Sequence, residues 1–83
     1  MRRFTVRVLE ARWAAAAPAE GLVFDVQRRR AGGDWVAFRD GTTEPAGSFR
    51  ASRGGSFEVR ARLRAAGSSE AATGWSPAAQ ASG

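Results

Sequence analysis

The sequence predicts an all-β fold: an antiparallel β-sandwich of six or seven strands, in a single domain covering residues 1–83. Two observations lead there. Apolar and polar residues alternate with a period of two along much of the chain, and short Gly-, Pro- and Ser-rich stretches cut that alternation at sandwich spacing. The clearest case is Ser56–Arg64, where Phe57, Val59, Ala61 and Leu63 alternate with Glu58, Arg60, Arg62 and Arg64. An antiparallel strand with one wet face reads this way; a helix would smear these arginines around its circumference.

Strands are predicted at Phe4–Trp13, Leu22–Arg30, Asp34–Arg39, Gly47–Ser52, Ser56–Ala65 and Gly74–Ala79. Turns fall at Pro18–Gly21, Ala31–Asp34, Asp40–Gly47, Arg53–Gly55 and Ala66–Ser69. Ala14–Ala17 has helix propensity, but Pro18 follows at once and the stretch reads as a loop. Pro77 lacks an amide donor, which makes the last strand an edge. In the first segment Leu9, Ala11 and Trp13 share one parity, whereas Phe4, Val6 and Val8 have the other. Either a β-bulge near Val8–Leu9 shifts the register, or Phe4–Val8 is a separate remnant of a first strand. On either reading that first strand is absent or vestigial. Val6 and Val8 then mark an exposed edge strand to which another strand can add, with Arg7 and Arg12 as gatekeepers.

Composition narrows the functions. With 83 residues, a net charge of +5 and neither Cys nor His, multidomain enzymes, thiol redox sites and zinc fingers are excluded. No apolar run approaches the ~18 residues of a membrane span. All 13 basic residues are Arg, and Lys, Asn, Tyr and Ile are missing, the signature of a GC-rich genome. Part of the high pI is therefore codon bias rather than a mark of nucleic-acid binding. Met1-Arg2-Arg3 resembles the start of a signal peptide, but Arg7, Glu10 and Arg12 interrupt its apolar segment, so none is expected in this chain.

No catalytic constellation stands out, and the chain reads as a non-enzyme. His, Lys and Tyr are absent as bases, and the acids Glu10, Glu20, Asp25, Asp34, Asp40, Glu44, Glu58 and Glu70 are scattered. Asp34, Asp40 and Glu44 lack the dense spacing of a calcium loop, so no metal and no cofactor is expected. Gly32-Gly33 and Gly54-Gly55 read as turns, because no helix follows either to hold a phosphate.

The Arg row is the most specific feature. Glu58, Arg60, Arg62 and Arg64 line the outer face, with Asp25, Gln27 and Arg29 on the neighbouring strand and Trp75 placed to stack on Arg60 or Arg62. One reading is a solvated face that clamps the edge strand. The other is a binding surface for an acidic glycan, a nucleic acid or an acidic protein, through Arg29, Arg60, Arg62, Arg64 and Trp75. Arg28-Arg29-Arg30 reads as a solvated hairpin end, and Trp13, Trp35 and Trp75 as core and sheet-packing residues.

With its strands in this order the sequence resembles a fibronectin type III module, in the Arg- and Ala-rich form of actinobacterial secreted or surface proteins. Trp13 matches that family's core tryptophan, Phe24-Asp25-Val26-Gln27-Arg28 its third strand, Phe57-Glu58-Val59-Arg60-Ala61 its sixth, and Gly74-Trp75-Ser76-Pro77 its last; Trp35 and Phe38 look like an aromatic pair. The corner tyrosine is Phe57 here, which removes a hydrogen bond of roughly 1 kcal/mol. The Trp-Ser beside the Arg row is similar, in part, to the Arg–Trp ladder of cytokine-receptor modules. The resemblance implies an immunoglobulin-like sandwich. It further implies a non-catalytic interaction or spacer module of a larger extracellular or cell-surface bacterial protein, with a protein or glycan partner. A structural subunit assembling through edge-strand pairing, or a small basic nucleic-acid-binding protein, are the alternatives.

Overall fold

The computed structural model describes residues 6–52, 55–70 and 73–82. Six strands form: β1 (Val6–Arg12), β2 (Leu22–Arg30), β3 (Val36–Thr42), β4 (Ala46–Ser52), β5 (Phe57–Ala65) and β6 (Ala79–Gln80). They make two antiparallel sheets, one ordered β1-β4 and the other β3-β2-β5-β6. The described residues contain no helix. The all-β sandwich is therefore the fold.

Alternation explains how the layers close. Leu9 and Ala11 of β1 with Phe49 and Ala51 of β4 face Phe24 and Val26 of β2 with Val59 and Ala61 of β5. Leu9, Val26 and Val59 are completely enclosed, and each stabilises the fold by about 1.5–3 kcal/mol. Along one side Trp13, Phe38, Phe49 and Phe57 form an edge-to-face chain with centroid spacings of 6.0, 5.2 and 5.6 Å. Phe57, which stands where the resemblance calls for tyrosine, thus packs on Phe49.

Four expectations are corrected. β1 pairs with β4 without interruption, from Val6↔Ser52 to Arg12↔Ala46, so there is no bulge near Val8–Leu9 and Val6–Val8 is not a separate remnant. Unbroken pairing keeps the ladder intact and leaves Val8 on the outside, 55% exposed. Phe4 lies outside the described residues, and among these no strand precedes β1. Second, β3 starts later and runs on to Thr42, because register shifts at Phe24/Asp25 and Val26/Gln27 admit Phe38 and Gly41 as extra residues. Third, the last strand shrinks to Ala79–Gln80, and Gly74–Ala78 is not strand. Fourth, Trp35 and Phe38 do not pair. Phe38 turns inward onto Trp13 and Phe49, whereas Trp35 meets arginines of the opposite face.

The edge of β1 is not fully open. Glu10 donates its amide to the Ser82 carbonyl at 2.6 Å and accepts from the Ser82 amide at 2.8 Å. The C-terminal segment thereby crosses from β5, where Ala79 and Gln80 pair, to the edge of the other sheet.

Candidate functional site

The outer face of the four-stranded sheet is built from β2 and β5, whose register sets Arg29 opposite Glu58, Gln27 opposite Arg60 and Asp25 opposite Arg62. Each guanidinium therefore finds an acceptor directly across the ladder. Arg29 Nε donates to Glu58 Oε1 at 2.8 Å, Arg60 Nε to Gln27 Oε1 at 2.8 Å, and Arg62 Nε to Asp25 Oδ2 at 3.1 Å. Arg64 reaches diagonally to Asp25, and also donates Nη2 to Asp40 Oδ1 at 3.0 Å and Nη1 to the Ser68 carbonyl at 2.6 Å.

Two indoles complete the row. The Arg60 guanidinium lies between Trp35, 4.4 Å away, and Trp75, 4.8 Å away. Arg62 lies over Trp75 at 4.8 Å and Arg29 over Trp35 at 4.4 Å. The sequence-predicted residues Arg29, Arg60, Arg62, Arg64 and Trp75 are thus brought together on one face. Trp35, read as sheet packing, is a full member of the row. Parity was the available signal: Trp35 and Phe38 are an odd number of residues apart, so simple alternation puts them on opposite faces.

Trp75 is held in place by two hydroxyls. Ser76 donates its amide to the Ala61 carbonyl at 2.8 Å while its Oγ accepts from the Ala61 amide at 3.0 Å. Thr73 repeats the device, its Oγ1 accepting from the Leu63 amide at 2.9 Å. Side-chain oxygens take the place of strand carbonyls, so the segment follows β5 although Pro77 has no amide to offer.

The row is a zipped layer rather than a bare cationic patch. The Arg64 side chain is 15% exposed and Asp25 beneath it 9%. Burial of Asp25 opposes its ionisation, but the hydrogen bonds from Arg64 and Arg62 outweigh this and hold its carboxyl below the ordinary range. The Asp25 carboxylate in turn raises the Arg64 guanidinium above its usual value. Arg29, Arg62 and Arg64 each meet a carboxylate, and Arg60 meets a neutral amide.

Elsewhere, a surface depression of about 510 Å³ on β1 and β4 holds one acid, Glu10, and one base, Arg12. Among the described residues no three acidic side chains converge as a metal site would, and no helix is long and apolar enough to cross a membrane. The edge residues Val6 and Val8 lie on β1, away from the Arg row. No protein-family model, curated protein or solved structure matches this sequence.

Proposed function

We propose that this chain is a non-catalytic interaction or spacer module with an immunoglobulin-like, fibronectin-type-III-like arrangement, carried by a secreted or surface bacterial protein. The strand order carries this reading. β1 and β4 correspond to the second and fifth strands of such sandwiches, and β3-β2-β5-β6 to the sheet built from the C, F and G strands with an added neighbour of C. The first strand has no counterpart among the described residues. A body whose largest extent is 51 Å suits a spacer.

The zipped Arg row supports a clamp over a nucleic-acid surface. A phosphate competing for Arg29, Arg62 or Arg64 displaces a carboxylate already within 3.1 Å, which removes much of the gain from counterion release. Duplex DNA is expected not to bind in moderate salt; binding that falls steeply with salt would overturn this point.

Edge-strand assembly is favoured by one observation, the exposure of Val8 on the edge strand β1, and opposed by Ser82, which already pairs with Glu10 on that edge. Light scattering across protein concentration decides between them. A constant 8.8 kDa supports the self-contained module. A defined multiple that Val6→Pro dissolves, with the monomer still folded, would replace it by the assembly reading.

A further inference from the structure

Arg28 departs from the outer row. It shares the inward parity of Phe24 and Val26 on β2, so its guanidinium lies over rings, 4.6 Å from the Phe49 centroid and 5.5 Å from that of Phe38. Arg39 lies on the same Phe38 ring, 4.0 Å from its centroid. These rings are where β3 and β4 face each other. Among the described residues no backbone hydrogen bond joins the two strands, so this side of the sandwich is closed by side chains alone.

Most of the donors there have no acceptor among the described residues. Arg28 Nε is buried without a partner, and none of the hydrogen bonds of the described residues involves an Arg28 side-chain nitrogen. Arg39 uses only Nη1, which donates to the Phe38 carbonyl at 3.1 Å. Among the described residues neither has a carboxylate within ion-pair distance, in contrast to Arg29, Arg62 and Arg64. An aromatic face attracts a cation but offers its N–H groups no acceptor in the guanidinium plane. A guanidinium fixed in this way is preorganised for in-plane, bidentate contact with an oxyanion.

We propose that the side of the sandwich between β3 and β4 is an oxyanion site, in which Arg28 and Arg39, held against Phe38, bind a sulfate, phosphate or carboxylate group. The site is separate from the Arg row, whose guanidiniums already have intramolecular acceptors, and it places unneutralised charge where the two sheets meet.

The test uses the full chain and ¹H–¹⁵N spectra that include the arginine Nε–H signals. Sodium sulfate, phosphate or acetate replaces sodium chloride at constant ionic strength, and the ranking of the three names the oxyanion source. The expected result is saturable shifts at the Nε–H of Arg28 and Arg39 and at the amides of Phe38 and Phe49. Arg28→Met keeps the length and removes the donors. It is expected to weaken binding at least about tenfold, and in chloride to melt no lower than the parent, because an unmet buried donor has gone. Arg39→Gln, at an exposed position, should weaken binding with the fold unchanged. Shifts that rise linearly with anion, or survive in both variants, would overturn the proposal. So would an Arg28→Met chain that melts well below the parent with its anion response intact, since Arg28 would then be only a structural cap.

Discussion

Arg64 holds Asp25 by both carboxylate oxygens, its Nε lying 2.8 Å from Oδ1 and 2.9 Å from Oδ2. The two residues are not register partners. Arg64 stands opposite Val23 and reaches diagonally, while Arg62 occupies the position opposite Asp25. Two guanidiniums and the Gly41 amide, 3.1 Å from Oδ1, thus share one carboxylate whose side chain is 9% exposed. A buried charge is tolerated when it is paired and its lone pairs are occupied, and here both conditions hold.

Acid should expose this arrangement. Unfolded Asp25 titrates near about 3.9, and the folded carboxyl lies lower. Its contribution is complete above the unfolded value and is lost as pH falls through the folded one. Urea midpoints are expected to hold steady down to about pH 5 and to drop below about pH 4. Asp25→Asn, lower in stability by about 2 kcal/mol at neutral pH, should show a shallower drop. Parallel acid profiles for the two chains would remove Asp25 from the explanation.

Gly41 tests the bulge. Its φ is +75°, and a Cβ there would lie 2.8 Å from Arg64 Nη2. Gly67, at φ +80°, has nothing within 4 Å of that position. Gly41→Ala should therefore destabilise by more than the ~1 kcal/mol expected of Gly67→Ala from backbone strain alone. Equal losses in thermal melts would show that Arg64 simply moves aside.

The hydroxyl acceptors of the last segment are separable from its indole. Ser76→Ala and Thr73→Val should each cost about 1 kcal/mol and accelerate hydrogen exchange at the Ala61 and Leu63 amides respectively. Exchange that is unchanged at both amides would mean that backbone carbonyls or water replace the hydroxyls without loss.

Trp35 and Trp75 should act through Arg60. Each stacking contact at such a face is worth ~0.5–1 kcal/mol, so Trp35→Ala, which loses contacts to Arg29 and Arg60, is expected to cost ~1–2 kcal/mol. A double-mutant cycle of Trp35→Ala with Arg60→Ala should return a coupling of about 0.5 kcal/mol or more. A coupling near zero would reduce the stack to proximity.

Much of the fold was legible in individual strands. β2 and β5 have the predicted residues almost to the boundary, because both are long and central and bounded by turn residues, and β5 alternates cleanly. The ends of β3 and β6 were not, for different reasons. Two bulges lengthen β3 against β2, and a bulge is defined by the partner strand, which no single segment contains. In the last segment Ser76 and Thr73 follow β5 through their hydroxyls, a pairing that leaves no trace of strand alternation. The candidate face was half visible: the Arg row and Trp75 follow from parity, whereas Trp35 was lost by reading its nearness to Phe38 as a contact.

What the sequence determined by itself is which residues of a cleanly alternating strand such as β5 turn inward, because alternation is enforced by backbone geometry within one strand. That places Phe57, Val59, Ala61 and Leu63 against Glu58, Arg60, Arg62 and Arg64, and it also makes Arg28 and Arg29 neighbours on opposite faces. Only the tertiary structure decided what those faces meet. Arg29 meets Glu58 and Trp35, while Arg28 meets the rings of Phe38 and Phe49. The difference arises because acceptors and rings come from other strands, and cross-strand register, bulges and the packing of the second sheet set their positions.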